Sequence, residues 1–133
     1  MKFIIRNGTV FTPRDRYSAD LVCEDGLITA LEGPNSASVA DEEIEATGLL
    51  VFPGFIDPHV HSRDPGLTEK EDFAHSTQAA ASGGITTIFE MPNAIPPVSE
   101  VSVFRERAEQ HSRMAFVDFG LAQQQAHAKE ASK

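Results

Sequence analysis

The chain has 133 residues, of which 41% are hydrophobic and 23% are charged, and this balance suits a globular domain and argues against disorder. It carries 11 Lys and Arg against 20 Asp and Glu, a formal net charge of −9, which argues against a nucleic-acid partner. The single cysteine, Cys23, excludes an intrachain disulfide. No signal peptide and no apolar run of ~18 residues is present, so we expect a cytoplasmic protein that does not enter a membrane.

Short strands joined by tight turns are predicted for the first fifty residues. Asn7-Gly8 and Asp25-Gly26 are residue pairs that favour type I′ hairpin turns, because both positions readily adopt positive φ. The predicted strands are Lys2–Arg6, Thr9–Thr12, Asp20–Glu24, Leu27–Leu31, Ile44–Ala46 and Leu49–Phe52. Residues 1–52 are therefore predicted to form a small antiparallel β-sheet domain.

The pattern changes at Pro53-Gly54, after which strands and helices alternate. The predicted strands are Phe55–His61, Ile85–Phe89 and Ala115–Phe119, and the predicted helices run from Asp72 to Ser82 and from a Ser99 cap to about Met114. Strand–helix units at about thirty-residue spacing predict a parallel sheet, because parallel neighbours need a crossover connection. Residues 53–133 are therefore predicted to form a second domain of the α/β class.

Two histidines at the end of the first parallel strand are the strongest chemical signal. His59 and His61 are two residues apart, and side chains at this spacing in a strand point to the same face. Neutral imidazole is a good Zn²⁺ ligand, so the two rings can converge on one cation. The pair is followed by a Gly- and Pro-containing loop, which is where the active sites of parallel barrels lie. Asp57 precedes His59 by two residues and is expected to be either a ligand or a partner that orients an imidazole.

Four sequence blocks in this region, the first of which runs from 53 to 66, resemble a known family. The segment 53–61, with its Asp-x-His-x-His motif, resembles the first barrel strand of the amidohydrolase superfamily. Within that superfamily the chain resembles the dihydroorotase family of cyclic amidohydrolases in particular. This similarity is carried by Ser62-Arg63-Asp64-Pro65-Gly66, Lys70-Glu71-Asp72, 79–87 and 91–97. The resemblance implies the amino-terminal portion of a (β/α) barrel, with its first three strands, behind a small β-sheet. It also implies reversible hydrolysis of dihydroorotate to N-carbamoyl-aspartate, a step of pyrimidine biosynthesis.

The resemblance implies a role for each matching residue. His59 and His61 correspond to metal ligands, and zinc is expected as one or two ions, although cobalt or manganese suits two histidines about equally. Arg63 and Asn93 correspond to residues that hold the carboxylate of a small-molecule substrate. A guanidinium binds a carboxylate through two parallel charge-assisted hydrogen bonds, which is consistent with that role.

Several groups that the family needs have no match before the end of the chain. A bridging carboxylate or carboxylated lysine, two further histidines and the catalytic aspartate are expected beyond Lys133, so the chain alone is expected to be inactive. We do not assign metal binding to the other histidines or to the lysines of the polar tail, which are His75, His111, His127, Lys129 and Lys133. Glu90 and Asp118 lie near predicted strand ends and are weaker candidates for supporting residues.

Two alternatives to an active dihydroorotase remain open at this point. One is a non-catalytic dihydroorotase-like subunit that supports a partner such as aspartate transcarbamoylase. The intact His59 and His61 argue against a non-catalytic subunit. Besides a complex with aspartate transcarbamoylase, the resemblance also allows a homo-oligomer. The second alternative is a hydantoinase or allantoinase relative, but such proteins generally lack an arginine at the position of Arg63 followed by Asp-Pro-Gly.

Overall fold

A computed structural model describes residues 1–123, and the chain divides into two compact units, Met1–Pro53 and the residues from Gly54 onward. The strands of the first unit are β1 (Lys2–Phe11), β2 (Arg16–Glu24), β3 (Leu27–Glu32), β4 (Glu42–Glu45) and β5 (Leu50–Val51). The second unit contains β6 (Phe55–Val60), α1 (Phe73–Ser82), β7 (Ile85–Glu90), α2 (Val101–Ser112) and β8 (Asp118–Leu121). Neither described helix has the length and apolar character needed to cross a membrane.

The first unit is a five-stranded sheet in the order β3-β2-β1-β4, with β5 also paired to β1. Strands β1, β2 and β3 are antiparallel neighbours, whereas β4 and β5 run parallel to β1. The sheet is therefore mixed, and the prediction of a wholly antiparallel sheet is wrong for β4 and β5. The Asp25-Gly26 turn is confirmed, because both residues have positive φ, 50° and 81°, between β2 and β3.

The predicted hairpin at Asn7-Gly8 is wrong, because β1 continues through this pair as one strand. Asn7 does adopt a positive φ of 57°, but it uses this conformation in a bulge. The pairing passes from Ile5–Leu21 to Gly8–Ala19, so that Arg6 and Asn7 together oppose Asp20. The positive φ of Asn7 therefore accommodates a β-bulge here and not a hairpin turn.

A buried carboxylate stabilises this bulge. Asp20 is fully buried and accepts hydrogen bonds from the backbone N–H groups of Asn7 at 2.8 Å and Ser36 at 2.9 Å. Its third partner is the guanidinium of Arg6 at 3.0 Å, which also pairs with Glu43. Burial raises the pKa of Asp20, but these hydrogen bonds outweigh burial and bring the pKa to about 2. The long-range partner of Asn7 thus explains why the local turn does not form.

The second unit is a three-stranded parallel sheet in the order β6-β7-β8, with α1 and α2 as the crossovers. Its core is formed by Phe73, Ala80 and Ile88, and Phe73 stacks on the buried ring of His111 at a centroid distance of 3.7 Å. The partly buried hydrophobic residues that pack against this core are Val60, Ile85, Met114, Ala115, Val117 and Phe119. The α/β class with successive parallel strands is as predicted and matches the beginning of a (β/α) barrel.

The ends of the elements differ modestly from the prediction. Helix α1 is capped by the side chain of Asp72, which accepts the N–H of His75 at 2.8 Å, and the predicted start is thus the cap. Helix α2 begins at Val101 with Glu100 as its cap, so the predicted cap at Ser99 is wrong. Strand β8 begins three residues later than predicted, because Ala115 packs in the core before the strand pairing starts.

Candidate functional site

The candidate site lies at the carboxyl end of β6, where two histidine rings are neighbours. His59 is the penultimate residue of β6 and His61 follows the strand directly. Their ring centroids are 5.0 Å apart and their planes are inclined by 80°. Both residues are exposed.

Strand β6 contains a bulge at the position of His59. The pairing of β6 with β7 passes from Asp57–Ile88 to Val60–Glu90, so that two residues, Pro58 and His59, oppose one residue of β7. Simple alternation of faces is therefore interrupted between Asp57 and His59. The carboxylate of Asp57 accepts the backbone N–H of His59 at 3.1 Å. Asp57 thus holds the backbone of a candidate ligand, whereas we expected it to orient an imidazole ring or to bind metal itself.

The geometry of the histidine pair fits a shared divalent cation. With metal–nitrogen bonds of ~2.0–2.1 Å and a near-tetrahedral angle, two ligating imidazoles place their centroids about 5 Å apart. The observed centroid separation of 5.0 Å agrees with this distance. Within residues 1–123 no three His, Cys, Asp or Glu side chains form a metal-binding group. A metal bound at this pair would therefore need ligands beyond these two imidazoles.

Arg63 and Asn93 lie in two loops that are joined to each other. Arg63 belongs to the loop after β6 and Asn93 to the loop after β7, and both residues are half-buried. The N–H of Ile95 donates to the carbonyl of Pro65 at 2.8 Å, which links the loops through the backbone. Gly66 allows the close approach: a Cβ at this position would lie 2.7 Å from the Ile95 carbonyl oxygen. The two residues predicted to hold a carboxylate are thus carried by one joined pair of loops.

The side chains of these two residues have free polar groups. Within residues 1–123 the guanidinium of Arg63 makes no hydrogen bond or ion pair. The Oδ1 atom of Asn93 is buried and lacks a hydrogen-bond partner in the same part of the chain. Buried polar atoms are normally hydrogen-bonded, so an unpaired atom in this loop is consistent with a position that meets a ligand.

Glu90, at the end of β7, is buried directly beneath the loop that follows the histidines. Its carboxylate oxygens accept the backbone N–H of Ser62 at 3.2 and 3.0 Å. Burial raises the pKa of Glu90, while the hydrogen bond from Ser62 and the charges of His61 and Arg107 oppose that rise. Glu90 therefore fixes the residue next to His61, and its supporting role has a structural basis.

The remaining candidates lie away from this site. Asp118 is exposed at the amino end of β8, where it pairs with Thr87, whereas Glu90 is the last residue of β7. His75 is exposed and pairs with Asp72 at the start of α1. His111 is buried in helix packing, where burial and the charge of Arg107 lower its pKa to about 4. His127, Lys129 and Lys133 lie outside the described residues.

A family model for the amidohydrolase family matches residues 50–130, which include the histidine pair, both loops and β7. The chain belongs to the amidohydrolase family. This match covers more than half of the chain, and it confirms the resemblance seen in the Asp-x-His-x-His motif.

The relatives of this amidohydrolase are named for different cyclic amide substrates. A dihydroorotase from Methanosarcina mazei is 37% identical over 117 residues, which cover 88% of this chain and 26% of that protein. An allantoinase from Rubrobacter xylanophilus is 45% identical over 119 residues, 89% of this chain and 26% of that protein. The L-hydantoinase structure from Arthrobacter aurescens superposes with a TM-score of 0.84 at 35% identity, over 90% of this chain and 27% of that one. The chain thus spans about a quarter of the length of these relatives.

Arg107 is the residue of this amidohydrolase site that sequence reasoning missed. It is buried within α2, and its guanidinium donates to the carbonyl oxygens of Asp64 and Pro96. A signal for it was present, because Val103, Arg107 and His111 share one face of α2 at spacings of four residues. A charged residue in the stripe that faces the core needs a buried partner, and here the partners are backbone carbonyls.

Proposed function

We propose that the chain supplies the first metal ligands and a carboxylate-binding loop to a metal-dependent hydrolase of cyclic amides, with dihydroorotate as its substrate. The observation that carries this proposal is the pair of imidazoles 5.0 Å apart at the end of β6, followed within two residues by Arg63. The dihydroorotase relatives support the choice of substrate.

Each group of the site has a separate task under this proposal. His59 and His61 hold zinc or another divalent cation, and the Asp57 carboxylate and the Glu90 carboxylate fix the backbone on the two sides of that pair. A bound divalent metal supplies Lewis acidity, which activates a water and polarises an amide carbonyl. Arg63 and Asn93 bind the carboxylate that dihydroorotate carries and thereby orient the ring. Orientation of this kind contributes to rate because the reacting atoms are held close together before reaction.

A second candidate substrate class has specific support. The allantoinase relative is 45% identical, which exceeds the 37% of the Methanosarcina mazei dihydroorotase, and a hydantoinase structure matches the fold with a TM-score of 0.84. Hydantoin lacks the carboxylate that Arg63 is proposed to bind, and allantoin lacks it as well. The two candidates are therefore separated by whether the reaction depends on Arg63.

The test compares kcat/KM for dihydroorotate, allantoin and hydantoin in the zinc-loaded product of the whole reading frame. Dihydroorotate is expected to be the best substrate. Arg63→Met is expected to lower its kcat/KM by about 10- to 100-fold, because hydrogen bonds to a charged group contribute about 1.5–3 kcal/mol. The zinc content should stay unchanged, and Arg105→Met, an exposed arginine of α2, is the control.

Two results would contradict the proposal in different ways. A preference for allantoin or hydantoin that is insensitive to Arg63→Met would establish the second candidate. A protein that binds zinc but hydrolyses none of the three compounds would instead support the non-catalytic subunit.

A further inference from the structure

Arg63 adopts a backbone conformation that its side chain disfavours. Its φ is 66°, in the left-handed region that glycine and asparagine enter most readily. Such conformations persist where the surrounding structure determines them, and they are frequent at functional positions. The residues on both sides of Arg63, Ser62 and Asp64, are buried, whereas Arg63 itself is half-buried.

Glu90 holds the residue before Arg63. The Glu90 side chain is only 3% exposed, and both of its oxygens lie within hydrogen-bonding distance of the Ser62 N–H, at 3.2 and 3.0 Å. A buried carboxylate is stable only when it is hydrogen-bonded, so the Ser62 amide cannot move away without leaving a buried charge unpaired. The strand β7 thus fixes the chain on the amino side of Arg63.

Arg107 holds the residue after Arg63 and the neighbouring loop together. Its Nη1 donates to the Asp64 carbonyl oxygen at 3.4 Å, and its Nη2 donates to the Pro96 carbonyl oxygen at 3.1 Å. The Asp64 carboxylate is anchored in turn, because it accepts the N–H of Phe73 at 3.3 Å. One guanidinium from α2 therefore spans both loops, which a lysine ammonium lacks the fork geometry to do.

The contacts of these two residues argue against a purely general stabilising role. Glu90 and Arg107 bind the backbone of loop residues, and in the described part of the chain neither makes an ion pair with the other or with any further side chain. Their acceptor and donor partners are the immediate neighbours of Arg63 and the loop that carries Asn93. If Glu90 and Arg107 served only to fill the core, their polar groups would not be expected to bind the backbone of these two loops.

We propose that Glu90 and Arg107 are positioning residues that clamp the backbone on either side of Arg63 and thereby fix its guanidinium for recognition of a substrate carboxylate. This inference rests on the proposed function for its ligand, but the clamp itself can be tested without one. The residues act through Arg63, so the loss of either is expected to reduce selectivity for carboxylate-bearing ligands and to leave the core of the second unit intact.

The first test measures amide hydrogen exchange in the whole chain without ligand. Arg107→Met is expected to accelerate exchange at least about tenfold in residues 61–67 and 93–97 and to leave β7 and α1 protected, because local opening needs less free energy than global unfolding. Arg105→Met, an exposed change on the same helix, is the matched control and should alter neither region. Unchanged exchange in both loops, or a uniform increase over the unit, would overturn the proposal.

Further variants at Arg107 and Glu90 keep this test decisive if Arg107→Met does not fold. Arg107→Lys retains the charge but reaches one carbonyl at most, and it should give loop exchange between that of the wild type and the opened state. Glu90→Gln retains an acceptor oxygen for Ser62 and should stay close to the wild type, whereas Glu90→Met should expose residues 61–67. The opposite order within either pair would contradict the clamp.

The second test compares dihydroorotate with dihydrouracil, the same ring without the carboxylate, as ligands of the zinc-loaded product of the whole reading frame. Arg107→Met should raise the Kd of dihydroorotate at least about tenfold and change that of dihydrouracil less than about twofold. Arg107→Lys should recover part of the dihydroorotate affinity. Equal loss of both ligands would show a merely structural role. If the wild type binds neither ligand, the proposed function fails, while the exchange result still decides the clamp.

Discussion

Replacement of Gly66 by alanine tests the close packing of the two loops that carry Arg63 and Asn93. A Cβ at this position would lie 2.6 Å from the Cβ of Ile95 and 2.7 Å from its carbonyl oxygen. Both separations are below the 3.0 Å that real Cβ contacts keep, so the loops would have to move apart. The φ of 99° at Gly66 adds a conformational penalty, because alanine rarely adopts it.

The expected loss in the free energy of unfolding has a conformational part and a steric part, which a matched control separates. Gly84→Ala in the same unit also faces a positive φ, 78°, but its nearest contact is the Phe55 ring at an ordinary 3.8 Å. We expect Gly84→Ala to cost about 1–2 kcal/mol from backbone conformation alone. Gly66→Ala should cost a further ~1–3 kcal/mol, which is the usual range for inserted groups in a packed region.

The assay is urea unfolding followed by circular dichroism at 222 nm. Among residues 1–123 both helices belong to the second unit, so this signal reports the unit that contains the two glycines. The difference between the two midpoints, at a common denaturant slope, gives the steric contribution. Equal free energies of unfolding for Gly66→Ala and Gly84→Ala would refute the loop packing described above.

Two further predictions concern the core of the second unit. Phe73→Ala should lower the free energy of unfolding by about 3–5 kcal/mol in the same urea assay, since the ring is fully buried, whereas the exposed Phe116→Ala should change it by less than ~0.5 kcal/mol. Burial lowers the pKa of His111 to about 4, so the neutral form is favoured in the folded state. Stability should therefore fall as the pH drops from ~6.5 towards 4, and His111→Phe should remove that pH dependence.

Much of the fold could be predicted because its signals are local. Asp25-Gly26 forms the expected turn, and its contacts with the distant Met1 leave that turn intact. The alternation of strands and helices after Pro53 predicted the parallel sheet. Asn7-Gly8 carries the same dipeptide signal, but the buried Asp20 thirteen residues away binds the Asn7 amide and converts the position into a bulge. Propensity alone does not distinguish these cases, because both use positive φ.

The candidate site could likewise be predicted where its sequence signals are local, and not where its geometry depends on residues distant in the chain. The spacing of His59 and His61 indicated neighbouring rings, and the strand bulge at His59 was not visible in the sequence. Arg63 could be selected by its motif, whereas the groups that bind its neighbours Ser62 and Asp64 come from Glu90 and Arg107, which are 27 and 44 residues away from it in the chain. Such contacts exist only after the sheet and α2 have formed.

The most direct test of the account is a zinc titration by calorimetry of the metal-free product of the whole reading frame, with the variants His59→Ala and His61→Ala and with the exposed His75→Ala as the matched control. Loss of an outer-sphere partner already weakens zinc sites about 10- to 100-fold, so loss of either proposed ligand should weaken zinc binding at least about tenfold. His75→Ala should leave the Kd unchanged. Zinc affinity that survives in both His59→Ala and His61→Ala, or that falls equally in His75→Ala, would contradict the metal site at the end of β6.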